Sequence, residues 1–181
     1  IIRLADDALI QGQRLSEWCG HGPILEEDIA LANLALDHIG QARALYTHAA
    51  KLEGKGRTED DLAYFRDEVE FRNHLILELP IGDFGFTIMR QLLYSVFALE
   101  RMKSLASQEV DTNLAAIASK AIKELRYHAE HAKDWVIRLG DGTEESHKRM
   151  QGSLDKLWPY TGEMFVPVAD DLWSTETGLC S

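Results

Sequence analysis

The sequence predicts an all-α protein, an antiparallel helical bundle. Only four prolines occur among the 181 residues, and no segment alternates apolar and polar residues with the period of two that marks a strand. Apolar residues instead recur at steps of three and four over long stretches, as they do on one face of an α-helix. Short breaks rich in glycine and proline separate these stretches, so consecutive helices are expected to run antiparallel.

The first part of the chain is divided by the tetrapeptide GHGP. This break separates a first helix, over about 4–19, from a long second helix over 25–53. Thr58 precedes three acidic residues, which is typical of an N-cap and a first helical turn. The third helix is expected to run from there to Leu79, because Pro80 cannot continue it.

The second part is divided by the tetrapeptide GDGT. Ahead of this break the pattern predicts a fourth helix over 83–107 and a fifth over 113–139, with Thr112 as the cap of the fifth. A shorter sixth helix follows over 144–157. Past Pro159 the helical pattern weakens.

These elements predict one domain over 1–165, with the helical bundle as its fold, and an irregular tail over 166–181. The tail has no helical stripe and is expected to be truncated. The opening IIRLADDALI has no initiator methionine and no targeting signal, so the start is also expected to be trimmed.

Composition argues against several classes of function. A net charge of −11 disfavours binding to nucleic acid or to an anionic membrane, because both require clustered basic residues. No apolar run is long enough to span a bilayer. Cys19 and Cys180 lie far apart and match no metal or disulfide spacing, which favours a reducing cytoplasm.

Two of the predicted helices carry an inward apolar seam with one histidine near its middle. A buried histidine is usually a neutral core residue bonded to a neighbour. The alternative is a pair of polar groups placed where a ferritin-like bundle holds its metals. The seams are Leu31, Ala35, His38, Ala42, Leu45, Ala49 and Leu52 in the second helix, and Leu114, Ala118, Ala121, Leu125, His128, Ala132, Trp135 and Leu139 in the fifth.

The run ALDHIGQAR at 35–43 is close to D-E-x-G-H-A-R, a motif of diiron proteins in which the Glu and the His bind iron. Here His38 stands at the Glu position and Gln41 at the His position. A diiron site requires carboxylates to bridge its hard cations and one imidazole for each iron. The second helix therefore fails this test.

The other helices do not supply the missing ligands. Glu124 and His128 in the fifth helix are four residues apart rather than three. With His131 they form either a small mononuclear site or an ordinary solvated flank. The first helix has Asp6 and Asp7 near its start, the fourth has no acidic residue over 84–99, and the one literal Glu-x-x-His, Glu144 to His147, lies in a capping turn. The count argues against a dinuclear site.

Four segments together resemble the C-subunit family of the ring-1,2-phenylacetyl-CoA epoxidases, bacterial multicomponent oxygenases of phenylacetate catabolism. They are RLSEWCGHGP, DIALANLALDHIGQAR, FRDEVEFRN and KELRYHAEHAKDWVIRLGDGTEES, and they occur in the family's order. The likeness covers about 3–165. It implies a ferritin-like antiparallel helical bundle with a degenerate diiron site, at His38, Gln41, Glu124 and His128 in this chain.

The resemblance also implies what the chain does. In this family the A subunit holds the diiron centre and performs the chemistry, whereas the C subunit supports it structurally and helps form the phenylacetyl-CoA site. This chain is then expected to hold no cofactor and to be non-catalytic by itself. Its expected partners are the catalytic A subunit, further small subunits, a reductase and phenylacetyl-CoA, all in the cytoplasm.

The family's substrate contacts fall on Glu70, Phe71, Arg72 and Asn73 in this chain, and a second contact falls at 172–174. Arg72 is suited to a CoA phosphate, Asn73 to an amide and Phe71 to an apolar part of the ligand. The same stretch can instead be a helix-surface ladder of ion pairs, formed by Arg66, Asp67, Glu68, Glu70 and Arg72.

Two departures from the family pattern leave alternatives open. The position of His38 is usually apolar in this subunit, and family members continue past Ser181. The alternatives are a self-sufficient metal oxidase using His38, Glu124, His128 and His131, or a helical scaffold protein. A homodimer of the isolated chain is also left open. An obligate partner subunit is expected to expose a large apolar patch.

Overall fold

The computed structural model describes residues 1–167 and 175–178. Over these ranges the chain is helical and contains no strand, which confirms the all-α prediction. Contacts divide the chain into two compact units, Ile1–Pro80 and Ile81–Ser181. The expected single bundle over 1–165 stays a prediction. No helix among the described residues combines the length and the apolarity needed to cross a membrane.

The first unit is built around two long helices, α1 (Ile2–Ser16) and α2 (Leu25–Glu53), which pack against each other. Two short helices complete it. They are α3 (Glu59–Tyr64) and α4 (Leu75–Glu78), with a 3-10 turn at Glu68–Glu70 between them. The bounds of α2 agree with the prediction.

Over the described part of the second unit, the long helices are α5 (Phe84–Ala106), α6 (Thr112–Gly140) and α7 (Glu144–Thr161), followed by a 3-10 turn at Gly162–Phe165. Helices α5 and α6 pack along each other, and α7 packs against both.

The prediction of one continuous third helix to Leu79 was wrong. Helix α3 ends at Tyr64, and residues 65–74 are irregular apart from the 3-10 turn. Buried carboxylates of α1 accept the backbone N–H groups of Arg72 and His74. These bonds satisfy donors that a continuous helix would have paired internally.

Three helix ends also differ from prediction. Helix α1 ends at Ser16 rather than near Cys19. Asp111 caps α6 rather than Thr112, because the Asp111 carboxylate accepts from the backbone N–H of Leu114 at 2.9 Å. Helix α7 continues past the expected end at 157, with Pro159 in its last turn. There the Thr161 hydroxyl donates to the carbonyl of Trp158 at 2.7 Å and gives that oxygen a partner.

The GHGP break is held by Asp28, in the first turn of α2. Its carboxylate accepts from the backbone N–H groups of Gly20 and Gly22, at 3.1 and 3.0 Å. These bonds lower the pKa of Asp28. A Cβ added at Gly22 would lie 2.7 Å from the backbone of Asp28, so this turn requires a glycine there. The start of α2 is fixed by this contact.

The predicted seams are buried except at their ends. In α2 the seam is buried as far as Ala49, but Leu52 is 62% exposed. The reason is the length of α1, which begins at Ile2 and already contacts Tyr46 of α2 through Asp6. Leu52 therefore extends past the helix that covers the rest of the seam. In α6 the seam is buried from Leu114 to Ala132, and its last two members are half-buried.

Candidate substrate-binding segment and degenerate metal positions

The predicted substrate contacts lie in the irregular segment between the 3-10 turn and α4. The side chains of Glu70 and Arg72 are exposed, and those of Phe71 and Asn73 are half-buried. The alternative of a continuous ion-pair ladder along a helix surface was wrong for this stretch, because its residues do not share a helix.

The carboxylate of Asp6, in α1, holds one end of this segment in place. Its carboxylate is fully buried and forms an ion pair with the guanidinium of Arg66. Arg66 Nη1 lies 3.2 Å from Oδ2 of Asp6, and Arg66 Nη2 donates to Oδ1. The Tyr46 hydroxyl also donates to Oδ1, and the backbone N–H of Arg72 donates to Oδ2 at 2.8 Å. The buried charge is thus paired and hydrogen-bonded, as burial demands.

Arg66, which pairs with Asp6, also contacts the segment directly. Its Nη1 donates to the carbonyl of Glu70 at 3.2 Å, and its Nε donates to the carbonyl of Leu62 at the end of α3. The guanidinium carbon lies 4.2 Å from the centroid of the Phe71 ring, a cation–π contact. Arg66 therefore sets the position of Phe71 and of the backbone at Glu70.

Tyr46 stays neutral in this cluster. Burial, followed by the hydrogen bond and the negative charge of Asp6, raises the pKa of the Tyr46 hydroxyl well above its usual value. The hydroxyl is therefore protonated at neutral pH and donates to Asp6. Its oxygen also accepts from Nη2 of Arg66 at 3.1 Å.

Asp7 holds the other end of the segment through His74. One Asp7 oxygen accepts from the backbone N–H of His74 at 2.8 Å, and His74 Nδ1 lies 2.9 Å from the other oxygen. Arg3 Nη2 lies 2.9 Å from His74 Nε2. Because a guanidinium only donates, Nε2 must accept and the ring proton must be on Nδ1, bonded to Asp7. The ring is therefore neutral in this arrangement.

The side chains of residues 70–73 differ in whether they form hydrogen bonds within the protein. The Asn73 amide donates to Glu78 Oε1 at 3.1 Å and to the carbonyl of His74 at 3.3 Å. A carboxylate oxygen of Glu70 accepts from the backbone N–H of Asp67 at 2.7 Å. The guanidinium of Arg72 makes no hydrogen bond or ion pair to any residue that the structure describes. The guanidinium of Arg72 is therefore available to a ligand, and the backbone of Arg72 is held by its hydrogen bond to Asp6.

Sequence reasoning missed the residues that build this scaffold. Asp6, Asp7, Tyr46, Arg66 and His74 were not predicted as parts of a site. One signal was present in the run LADDAL, where two carboxylates stand between apolar residues of one helix. Such residues are buried only when partners neutralise them, so the run itself indicated a buried polar cluster.

The degenerate metal positions of the first unit, His38 and Gln41, lie on α2 and are both buried, with His38 fully so. Helix α1 passes close to them at Gly12. A Cβ added at Gly12 would lie 3.1 Å from the carbonyl of Ala35 and 3.3 Å from Cβ of His38. His38 is thus a core residue at a close helix–helix approach.

The positions of the second unit, Glu124 and His128, lie on α6. His128 is fully buried, and its ring contacts Tyr127, with centroids 6.4 Å apart. Glu124 is directed to a flank of the helix, where it pairs with Lys120 at 3.5 Å. The exposed ring of Tyr127 also contacts His131, at 6.2 Å.

These donors do not fit a diiron centre. Position 38 has no carboxylate, position 41 offers only an amide, and Glu124 already pairs with an ammonium. Within 1–167 and 175–178, no three His, Cys, Asp or Glu side chains form a group that could hold a metal ion. His147 of the literal Glu-x-x-His donates from Nδ1 to the carbonyl of Gly140 at 2.8 Å, as part of a turn.

Two predictions fall on residues that the structure does not describe. The second substrate contact at 172–174 lies outside the described ranges, and so does Cys180. Cys19 is a free, exposed thiol.

Comparison with known proteins gives two matches. A family model described as phenylacetic acid catabolic protein matches residues 1–180. The chain is also similar to the C subunit of the 1,2-phenylacetyl-CoA epoxidase of Escherichia coli strain K12, with 46% identity over 178 residues. That alignment covers 98% of this chain and 71% of the relative.

Proposed function

Because the chain belongs to the phenylacetic acid catabolic protein family, we propose that it is the non-catalytic C subunit of a multicomponent oxygenase. This complex epoxidises the aromatic ring of phenylacetyl-CoA in phenylacetate catabolism. The chain is a ferritin-like bundle that has lost its own diiron site. It supports an iron-bearing catalytic subunit and helps form the acyl-CoA site.

The observation that carries the non-catalytic role is the chemistry at the degenerate metal positions. A diiron centre needs bridging carboxylates, and here a histidine, an amide and a carboxylate paired with Lys120 stand at those positions. The iron and the oxygen chemistry therefore belong to the catalytic A subunit. A reductase supplies the electrons, and further small subunits complete the complex.

The acyl-CoA role rests on residues 70–73. Asp6 and Asp7 hold the backbone of this segment, so Arg72 can present its guanidinium without further ordering of the chain. A guanidinium on a phosphate of CoA forms strong charge-assisted hydrogen bonds. Phe71, positioned by Arg66, supplies apolar surface beside it. Glu70 and Asn73 contribute the polar edge of the same site.

Reconstitution tests the whole proposal. The chain, the catalytic subunit and the reductase are purified separately and mixed with phenylacetyl-CoA, and the ring epoxide is measured. The proposal predicts product only when the chain and the catalytic subunit are both present. Turnover by the chain and the reductase alone would establish the self-sufficient oxidase instead. Equal turnover without the chain would establish a protein with no part in epoxidation.

A further inference from the structure

His74 lies where residues 70–73 meet α4, and both nitrogens of its ring contact side chains of α1. His74 and Asp7 are both buried, with exposures of 1% and 2%. The Nδ1 atom of His74 lies 2.9 Å from Oδ2 of Asp7, and its Nε2 atom lies 2.9 Å from Nη2 of Arg3. The imidazole is thus held between a carboxylate and a guanidinium. We call this group of three residues, Arg3, Asp7 and His74, the His74 clasp.

The His74 clasp requires a neutral ring. A guanidinium has donors but no acceptor, so Nε2 of His74 must present a lone pair to Arg3. The single ring proton is then on Nδ1 and is donated to Asp7. A second proton would occupy the lone pair on Nε2 and place an imidazolium beside the guanidinium. Protonation therefore breaks the contact with Arg3, while the contact with Asp7 gains an opposite charge.

The charged side chains that bond the ring both come from α1, and they act in opposite directions. Arg3 disfavours protonation of the ring and Asp7 favours it. On α4, Glu78 accepts from the Asn73 amide at 3.1 Å. Arg3 is half-buried, so its guanidinium can reach solvent, whereas Asp7 is buried and also accepts from the backbone N–H of His74. Protonation is therefore expected to release Arg3 and to retain Asp7.

The His74 clasp also bears on the neighbouring segment, because α4 is too short to fix its own position. This helix has only four residues and depends on tertiary contacts. Its hydrogen bonds to α1 include the His74 clasp and the donation from Nη2 of Arg14 to the carbonyl of Glu78, at 2.7 Å. The Asn73 amide donates to both ends of α4, at the carbonyl of His74 and at the carboxylate of Glu78. A change at the clasp therefore affects Asn73, one of the residues proposed to bind the acyl-CoA.

We propose that His74 is a pH-sensitive positioning residue for the segment 70–73. In its neutral form it holds the end of this segment and the start of α4 against α1, through Arg3 and Asp7. When it is protonated, it releases Arg3 and fixes Asn73 less well, so phenylacetyl-CoA binds more weakly at acidic pH. The effect on binding rests on the proposed function, whereas the clasp itself does not.

Nuclear magnetic resonance of the full chain, labelled with nitrogen-15 in its histidines, tests the clasp. Comparison with His74→Gln identifies the His74 signals. At about pH 8 the ring is expected to carry its proton on Nδ1 and none on Nε2. Arg3→Met removes the opposing cation, so the midpoint of the His74 titration is expected to rise by about one pH unit. Arg43→Met, which removes an exposed arginine that pairs with Glu59, is the control and should leave the midpoint unchanged.

Binding of phenylacetyl-CoA to the assembled complex tests the positioning role. Its Kd is measured at about pH 8 and about pH 5.5, a range over which imidazoles ordinarily change charge. In His74→Gln the side chain cannot be protonated, but its carbonyl can still accept from Arg3. The affinity of wild type is expected to fall about three- to tenfold more than that of His74→Gln over this range. Titration of the ligand's own phosphates is common to both proteins and cancels in the comparison.

Arg3→Met gives a second comparison that does not depend on the folding of His74→Gln. This variant lacks the contact at every pH, so its affinity is expected to be lower than that of wild type at about pH 8. Its affinity should also change less between the two pH values. Circular dichroism at both pH values checks that each protein remains folded.

The outcomes separate the clasp from the proposed function. A neutral His74 that carries its proton on Nε2, or a titration midpoint that Arg3→Met leaves unchanged, would overturn the clasp. Equal pH dependence of binding in wild type and both variants would overturn the positioning role. If the complex binds no phenylacetyl-CoA at either pH, the proposed function and the positioning role both fail, while the magnetic resonance measurement still decides the clasp.

Discussion

At the scale of single residues, Asp6 shows how a buried charge can organise a surface site. Burying an unpaired carboxylate costs free energy. Here Arg66, Tyr46 and the backbone N–H of Arg72 compensate for the burial of Asp6. The same bonds hold a loop of the protein surface in place. The stability of the protein and the position of the proposed substrate-binding segment therefore depend on one side chain.

Replacing Asp6 by asparagine is expected to destabilise the protein by about 3–5 kcal/mol, because the buried guanidinium of Arg66 loses its counter-charge. Tyr46→Phe, which removes a single donor from the same cluster, is expected to cost about 1 kcal/mol. Urea unfolding of both variants measures the difference. A loss for Asp6→Asn no larger than that for Tyr46→Phe would show that the ion pair is unimportant.

Alkaline pH gives an independent test at Tyr46. Its pKa is raised in the folded protein, so the unfolded chain ionises first, above the usual value near 10. The stabilisation is complete below about pH 10 and is lost as pH rises above it, by about 1.4 kcal/mol per pH unit. Unfolding free energy between pH 9 and 12 is expected to fall less steeply in Tyr46→Phe than in wild type. If the unfolding free energies of the two proteins fell equally steeply with pH, this account of Tyr46 would be contradicted.

The residues of this cluster also show what a sequence leaves undetermined. The seams of α2 and α6 are local patterns, so their buried residues were predictable. The partner of Asp6, in contrast, lies 60 residues away in the chain. No local spacing relates the two, and only the three-dimensional packing brings them together.

At the scale of elements, helices were predictable where their ends are determined locally. The bounds of α2 follow from GHGP before it and from Gly54 after it, which takes a left-handed φ of 68°. The stretch 65–74 has helical propensity but is not helical. Its backbone N–H groups at Arg72 and His74 donate to the carboxylates of α1 instead of to carbonyls of a continuous helix. Tertiary bonds override propensity there.

The close contact at the start of α2 can be tested with alanine. Gly22→Ala is expected to destabilise the protein by about 1–3 kcal/mol, since the new methyl group would overlap the backbone of Asp28. Gly40→Ala, in the middle of α2 with open space around it, is expected to stabilise the helix by about 0.5–1 kcal/mol. Thermal melts of the two variants should shift in opposite directions. A shift in the same direction would contradict this account of the turn.

At the scale of the whole molecule, the proposed function depends on surfaces that only partners complete. The family and the all-α fold were predictable from long motifs spread over the chain, and both are confirmed. The exposed apolar residues of α2, among them Leu25 and Leu36, were expected only as an unspecified apolar patch. Their place could not be predicted, because only the three-dimensional packing decides which apolar residues outside the seam are covered.

The acyl-CoA role predicts a specific loss in the assembled complex. Arg72→Gln is expected to weaken phenylacetyl-CoA binding about tenfold, because one charge-assisted contact to a phosphate is removed. Arg126→Gln, an exposed arginine of α6, serves as the control and should leave binding unchanged. Assembly with the catalytic subunit should be normal in both variants. Equal affinities for wild type and Arg72→Gln would remove Arg72 from the site.

The central claim is that this chain supports an oxygenase without holding its iron. The most direct measurement is the iron content of the chain and of the catalytic subunit, purified separately after growth in iron-rich medium. We expect iron in the catalytic subunit, none in stoichiometric amount in this chain, and no change on His38→Leu. Stoichiometric iron in this chain that His38→Leu abolishes would contradict the claim.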